Sequence, residues 1–294
     1  MTRTKQKIET DFFRQLDRFT FSVRKRVSTV YAGNRPSTRS GHGIDTIGFR
    51  EYDSSDDLKD IDWKAYARTE KLYVRQFEEE KTLTTHILLD ASKSMDYPEK
   101  GTSKFEYAAM LAAGYAYMVT RYNDRFAIST FTQEVDINKP SRGRKNLLRT
   151  IDRLTELEIS GSTSIEEAVL KYSRAIQSRS LVILISDFLQ EPQAIETAVS
   201  RLSEHDLILI QVLDPTEKVL PLQGNSKLVD LETGEEIRTY VSENFKKRYL
   251  GKLDDHTARI KKACMKVGAE FYTFTTDTPV FDAFHYTIRR RGRR

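Results

Sequence analysis

From about residue 83 onward, the pattern of apolar and polar positions alternates between two kinds of segment. THILLD, RFAISTFT, SLVILISD and DLILIQVLD are short runs rich in β-branched residues and leucine. Longer segments with helical patterns flank them, among them KFEYAAMLAAGYAYMVTRY and PQAIETAVSRLSEH. Continuously apolar strands are typical of a parallel sheet that is covered on both faces. The pattern therefore predicts a three-layer α/β fold with a doubly wound, mostly parallel sheet.

A smaller antiparallel feature interrupts this alternation. In KLVDLETGEEIRTY, two short alternating runs flank ETGE, which indicates a hairpin insertion. A charged helix over roughly residues 242–267, a strand AEFYTFTT and a closing helix from about Pro279 follow it. Before the sheet, residues from about 8 to 26 have helical apolar spacing. We predict an N-terminal region, residues 1–80, packed on a sheet domain, residues 81–294.

Composition and charge narrow the function classes. The first residues, MTRTKQKIETDFFRQ, are charged where a secretory signal needs an apolar core, and no window resembles a membrane span. The single cysteine, Cys264, has no Cys or His neighbours at zinc spacing, so we expect a soluble cytoplasmic protein without structural zinc. The formal net charge is +5, and the terminal RRRGRR alone carries five arginines. A solvated tail is therefore the favoured interpretation, with nucleic-acid association as the alternative.

Short oxygen-bearing side chains follow the predicted strands. ILLDASKSM ends its apolar run at Asp90, and Ser92 and Ser94 come directly after. SLVILISD ends at Asp187, and the loop SGSTS supplies Thr163 just before a helix. Doubly wound sheets bind ligands at the carboxyl ends of their strands, so we expect these side chains to converge. Such hard oxygen ligands suit a divalent cation, foremost Mg²⁺, with Mn²⁺ or Ca²⁺ possible in its place.

Simpler structural roles are available for the same residues. Ser92 and Ser94 are able to cap the following turn, and Thr163 is able to cap the next helix with Glu166 completing a capping box. Asp187 is able to end a strand in solvent. We also expect Asp90 to lie at a solvent-facing strand end, where its removal costs little stability.

Asp-x-Ser-x-Ser with a distant Thr and Asp resembles the metal-ion-dependent adhesion site of von Willebrand factor A domains. All five positions match in order, at Asp90, Ser92, Ser94, Thr163 and Asp187. The resemblance implies that the hydroxyls bind the ion directly or through water, and that the aspartates bind it or orient its waters. It also implies an open position that accepts a carboxylate from another protein.

The segment GFREYDSSDDLKDIDWKAYARTEKLYVRQFEEEK resembles the signature of the bacterial family named for domain of unknown function 58. Ser55 stands where that family usually has glycine, so the turn there has to form without one. The resemblance implies a binding module linked to MoxR-type AAA+ ATPases. The matching positions are Arg50, Glu51, Tyr52, Asp56, Asp57, Ile61, Asp62, Trp63, Ala67, Arg68, Arg75 and Phe77 to Glu80.

Packing is the role that we predict for this segment. Ile61 and Trp63 are expected to anchor it on the sheet domain, and Asp62 and Arg68 are expected to form a buried pair.

The hypothesis for the whole chain is a non-enzymatic, metal-dependent protein–protein interaction module. Its expected partner is a MoxR-type ATPase, or a protein on which that ATPase acts, in a chaperone-like or assembly role. The alternative is a Mg²⁺-dependent phosphatase or hydrolase of the haloacid dehalogenase type. Those enzymes need a second aspartate two residues after the first, where this chain has Ser92, and no Gly-x-Ser-x-Gly elbow occurs.

Overall fold

The computed structural model describes residues 46–53, 58–77, 84–98 and 101–291. They form two compact units, residues 46–77 and residues 84–291. The helix predicted over residues 8–26 lies outside the described residues. The predicted domain boundary between residues 80 and 81 falls within residues 78–83, which are also outside them, so this division stays a prediction.

The smaller unit is an antiparallel strand pair with one short helix. Strand β1 (Thr46–Glu51) pairs with β2 (Tyr73–Phe77), and a 3-10 turn (Leu58–Asp60) and helix α1 (Trp63–Thr69) lie between them in the chain. Asp62 caps α1, because its Oδ1 accepts hydrogen bonds from the backbone N–H groups of Lys64 and Ala65 at 2.9 and 3.1 Å.

One expectation about this segment stays a prediction and another is wrong. Ile61 is buried and Trp63 is 60% exposed, and their anchoring on the sheet domain stays a prediction. Arg68 is exposed and its Nε donates to the Lys64 carbonyl, while Asp62 caps the helix, so the two do not form a buried pair. Asp62 therefore serves as the N-cap of α1.

The larger unit contains the predicted doubly wound sheet. The strands are β3 (Thr84–Asp90), β4 (Arg125–Phe131), β5 (Val135–Asp136), β6 (Leu181–Ser186), β7 (Asp206–Leu213) and β10 (Glu270–Thr275). They lie in the order β10-β7-β6-β3-β4-β5, and all neighbours are parallel except β5, which is antiparallel to β4. The α/β, mostly parallel fold is confirmed, and SLVILISD does lie beside THILLD in the sheet centre.

Helices cover both faces of the sheet. On one face, α2 (Lys104–Arg121) contacts β3 and β4 and packs against α3 (Arg144–Glu156) and the closing helix α8 (Val280–Arg291). On the other face, α4 (Ile165–Ser173), α5 (Pro192–Arg201) and α7 (Glu243–Lys266) share a buried core with apolar residues of β3, β6 and β7. A short helix α6 (Pro215–Val219) follows β7. Within the described residues, no helix has both the length and the apolarity that a membrane crossing needs.

The predicted hairpin insertion is confirmed. Strands β8 (Gly224–Val229) and β9 (Glu236–Val241) pair in antiparallel register around the ETGE turn. Asp230 Oδ1 accepts hydrogen bonds from the amides of Glu232 and Thr233 at 2.8 and 3.1 Å, which closes the turn. Gly234 has φ +75°, a left-handed conformation that glycine adopts without the strain a side chain would cause. The turn thereby fixes where Glu232 lies.

Candidate functional site

Asp90 is the centre of a hydrogen-bonded cluster at the carboxyl end of β3. Its Oδ1 accepts hydrogen bonds from the Ser92 backbone amide at 3.0 Å and the Thr163 hydroxyl at 2.9 Å. Its Oδ2 accepts a hydrogen bond of 2.6 Å from the Ser186 hydroxyl. The residue is fully buried, so the expectation of a solvent-facing strand end is wrong. Both carboxylate oxygens are therefore held in fixed directions.

Ser92 and Ser94 present a pair of hydroxyls beside this carboxylate. Their Oγ atoms are 3.1 Å apart, and Ser92 is buried. Ser92 precedes a 3-10 turn (Lys93–Asp96), yet its side chain makes no capping hydrogen bond, so a capping role is not its structural use. Oxygens bound at right angles to one Mg²⁺, at about 2.0–2.1 Å each, lie about 3 Å apart. The serine pair thus fits two adjacent ligand positions of a small divalent ion.

Thr163 joins the cluster from a loop that is distant in the chain. Its hydroxyl donates its only hydrogen to Asp90, which leaves the lone pairs of the oxygen able to bind a cation. The N-cap of α4 is Ser164, without a side-chain capping bond, so the capping box of Thr163 with Glu166 does not form. The Thr163 amide donates to Glu232 Oε2 at 3.2 Å, which links this loop to the hairpin turn.

Asp187 is buried instead of ending its strand in solvent. It is 2% exposed, and its Oδ2 accepts a 2.9 Å hydrogen bond from the ammonium group of Lys104. The same ammonium group donates to Glu217 Oε1 at 2.7 Å. Asp187 Oδ1 accepts a longer bond of 3.3 Å from the Leu189 amide, and the Asp187 carbonyl accepts a bond from Gln211 at 2.9 Å. One carboxylate oxygen of Asp187 is therefore already engaged by a cation.

Lys104, Ser186 and Glu217 are site residues that the sequence analysis missed. The position of Lys104 could have been noticed in the sequence, because this lysine lies in the first turn of a helix that is otherwise apolar nearly all round. A cation is unfavourable at a helix N-terminus, so a buried lysine there indicates acidic partners. Ser186 and Glu217 left no comparable signal in the sequence.

Burial and mutual charge alter the acid–base properties of this cluster. Burial raises the pKa of Asp90 to about 6, the negative charge of Asp187 adds to the rise, and the bonds from Ser186 and Ser92 oppose it. For Lys104, burial by itself lowers the pKa, but Asp187 and Glu217 together raise it above its ordinary value. Burial raises the pKa of Glu217, against the opposing charge of Lys104. Lys104 is therefore charged at neutral pH.

The structure brings the five predicted residues to one edge of the sheet. Asp90 bonds directly to Thr163 and to the Ser92 amide, Ser92 contacts Ser94, and Asp187 follows Ser186, which also bonds Asp90. In the part of the chain that the structure describes, no group of three or more His, Cys, Asp or Glu residues is placed to hold a metal ion. An ion at this edge would be held mainly by the hydroxyls of Ser92, Ser94 and Thr163. Their role as metal ligands stays a prediction.

Sequence comparisons identify one protein family and mycobacterial relatives of the chain. The sequence profile of the family described as "Protein of unknown function DUF58" matches residues 48–259. "Uncharacterized protein Rv1480" of Mycobacterium tuberculosis is 24% identical over 277 residues, which cover 92% of this chain and 87% of that protein. "Uncharacterized protein MAV169" of Mycobacterium avium is 26% identical over 150 residues, covering 50% of this chain and 89% of that protein.

Solved structures with related architecture have low sequence identity to the chain. The conserved hypothetical protein BatB from Bacteroides thetaiotaomicron is 16% identical, with TM-score 0.45, over 72% of this chain and 100% of that one. The SpRpn10 VWA domain is 10% identical, with TM-score 0.45, over 70% and 95% of the two chains. Manganese-loaded TRAP protein from Plasmodium vivax is 15% identical, with TM-score 0.37, over 58% and 63%.

Proposed function

Because the chain belongs to the DUF58 family of proteins of unknown function, we propose a function from the chemistry of its site. The chain is a protein–protein interaction module that binds a divalent cation, foremost Mg²⁺, through Ser92, Ser94 and Thr163. Asp90 orients these hydroxyls, and Asp187 supplies a second negative charge. When bound, the cation supplies positive charge that attracts a carboxylate of another protein.

The serine pair is the observation that carries this proposal. Its two oxygens are 3.1 Å apart and lie beside a buried carboxylate that accepts three hydrogen bonds. Neither Ser92 nor Thr163 caps the turn or helix that follows it. A site rich in neutral hydroxyls neutralises little of the charge of a divalent ion, which favours binding of an external anion.

The partner that we propose is a MoxR-type AAA+ ATPase, or a protein that such an ATPase remodels, in a chaperone-like or assembly role in the cytoplasm. This part of the proposal is supported by the DUF58 signature from Arg50 to Glu80. The partner protein would offer the carboxylate of an Asp or Glu side chain to the metal site.

Binding is favoured over catalysis by the position of Asp90. A nucleophilic aspartate needs an oxygen free to attack phosphorus, whereas both Asp90 oxygens accept hydrogen bonds in a fully buried setting. The residue two positions on is Ser92, which is not a general acid. The experiments below therefore include an assay for phosphatase turnover.

The first test measures Mn²⁺ binding to the native chain and to two serine variants by calorimetry. Ser94→Ala removes one hydroxyl of the pair, whereas Ser162→Ala removes a neighbouring hydroxyl that accepts a hydrogen bond from Gln133. We expect Ser94→Ala to weaken Mn²⁺ binding by at least about 10-fold, since even indirect partners of a metal site contribute 10–100-fold. Ser162→Ala should bind like the native chain.

The second test recovers partners from a lysate with native chain and with Ser94→Ala, in Mg²⁺ and in chelator. A partner bound only by native chain in Mg²⁺ supports the proposal. No Mn²⁺ binding by native chain, or phosphate-ester turnover that disappears in Asp90→Asn, would overturn it.

A further inference from the structure

Lys104 is a buried cation beside the candidate metal site, and the binding of a metal ion does not by itself explain why a lysine lies there. Its side chain is 1% exposed, and it donates to Asp187 Oδ2 at 2.9 Å and Glu217 Oε1 at 2.7 Å. It occupies the first residue of α2, where the helix dipole disfavours a positive charge. Burial and the dipole both oppose a lysine here, so the two carboxylates must account for its position.

The geometry points to Lys104 as a built-in counter-ion that holds the affinity of this site for divalent cations low. It does so by occupying Asp187 Oδ2 and by placing a fixed positive charge beside the ion. This inference rests on the proposed metal site and assigns the residue that tunes it.

The first part of the argument is competition for one carboxylate. Asp187 Oδ2 accepts a hydrogen bond from the Lys104 ammonium group at 2.9 Å, while Oδ1 accepts only a 3.3 Å bond from the Leu189 amide. A cation that approaches Asp187 therefore has Oδ1 to bind and meets the charge of Lys104 on the same carboxylate. Like charges this close repel strongly in a buried setting, where water screens them poorly.

The second part is the charge balance without an ion. Three buried or largely buried carboxylates, Asp90, Asp187 and Glu217, lie in this cluster, and the single positive charge of Lys104 forms ion pairs with the last two. The chain can thus assemble the site before any ion binds, because Asp187 is not left as an uncompensated buried charge. Metal binding then becomes reversible and is not required for folding.

The test is Mn²⁺ affinity, measured by calorimetry on the full chain with Lys104→Met and Lys104→Arg. Met keeps the length of the side chain without its charge, so we expect Mn²⁺ to bind at least about 10-fold more tightly than in the native chain. Arg keeps the positive charge, so Lys104→Arg should not show this gain in Mn²⁺ affinity. Thermal unfolding in chelator should show a lower midpoint for Lys104→Met, and Mn²⁺ should raise that midpoint more than it raises the native one.

A double variant covers the case in which Lys104→Met does not fold without metal. Lys104→Met with Glu217→Gln removes the cation together with one of the carboxylates that would be left unpaired, and it should also bind Mn²⁺ more tightly than native chain. Glu217→Gln alone keeps the Lys104–Asp187 pair and should give no gain.

The outcomes separate this inference from the proposed function. If the native chain binds Mn²⁺ and neither variant that lacks the Lys104 charge binds it more tightly, the role of Lys104 is overturned and the metal site stands. If only the variants that lack the Lys104 charge bind Mn²⁺, Lys104 is supported as the counter-ion and the metal dependence of the native chain is overturned. No binding by any variant overturns both.

Discussion

At the scale of single residues, the site depends on how Asp90 is held. A fully buried carboxylate that accepts bonds from Thr163, Ser186 and the Ser92 amide positions the surrounding oxygens. The same three donors depend on Asp90 as their acceptor. Substitutions of Asp90 therefore change the stability of the fold as well as metal binding. The size of the stability change depends on whether the new side chain can still accept hydrogen bonds.

Asp90→Ala should be less stable than Asp90→Asn by about 2–3 kcal/mol. Alanine leaves the Thr163 and Ser186 hydroxyls without their buried acceptor and opens a cavity, whereas asparagine keeps the volume and one acceptor oxygen. Urea unfolding in chelator at neutral pH measures the difference. Equal stability of the two variants would show that the three bonds to Asp90 contribute little.

The pH dependence of stability gives a second prediction for Asp90. Its pKa in the folded chain is raised to about 6, above its value in the unfolded chain, so the folded state binds more protons between those two values. Stability should therefore fall as pH rises from about 4 to about 6, by roughly 2–3 kcal/mol relative to Asp90→Asn, which lacks this titration.

Unfolding free energies of native chain and Asp90→Asn, compared in chelator across that range, check the sign. A difference between them that does not change with pH would count against the buried carboxylate as its source. Saturating Mg²⁺ should reduce the slope, since a bound cation favours the ionised form.

At the scale of elements, the hairpin turn and the loop before α4 are coupled through Glu232. The β8–β9 turn is closed by Asp230 and Gly234, and it brings Glu232 Oε2 to 3.2 Å from the Thr163 amide. The neighbouring Lys93 amide donates to the Gly161 carbonyl at 3.0 Å, so the loop is also tied to the turn after β3. Three elements that are far apart in the chain thus determine where Thr163 lies.

Glu232→Ala should loosen that loop without unfolding the chain. One partly exposed hydrogen bond contributes about 1 kcal/mol, so amide exchange in residues 159–165 should accelerate by about fivefold. Hydrogen exchange followed by mass spectrometry measures it, with Glu235→Ala in the same turn as the control. Unchanged exchange in Glu232→Ala would mean that the hairpin does not hold the loop.

At the scale of the whole molecule, every residue of the candidate site lies in the sheet unit. The five predicted ligands and their partners Lys104, Ser186, Glu217 and Glu232 all fall between residues 84 and 291. The six-stranded sheet, its two helical layers and the β8–β9 hairpin supply the elements that position them. The sheet domain should therefore carry metal binding by itself.

A fragment of residues 81–294 should fold cooperatively and bind Mn²⁺ within about threefold of the full chain, because single domains of this size usually fold alone. Thermal unfolding and calorimetry on fragment and full chain make the comparison. A fragment that does not fold, or that loses the ion, would show that residues 1–80 complete the domain.

The amino-acid sequence by itself determined the five parallel strands of the sheet, the hairpin, and the edge at which Asp90, Ser92, Ser94, Thr163 and Asp187 meet. It did not predict β1, β2 or the short β5. Continuous apolar runs identify parallel strands, and the carboxyl ends of such strands converge, so spacing along the chain was sufficient for these predictions. Sequence was insufficient for Asp62 and Arg68, because opposite charges in one segment do not specify whether they pair or whether the carboxylate caps a helix.

Only the tertiary structure decided that Asp90 is fully buried, that Ser186 bonds it, and that Lys104 pairs with Asp187 and Glu217. The partners of Lys104 are 83 and 113 residues away in the chain. No local pattern links residues so far apart. Their meeting depends on the register of β3 against β6 and on how α2 packs over the sheet, and the charge state of the site depends on that packing.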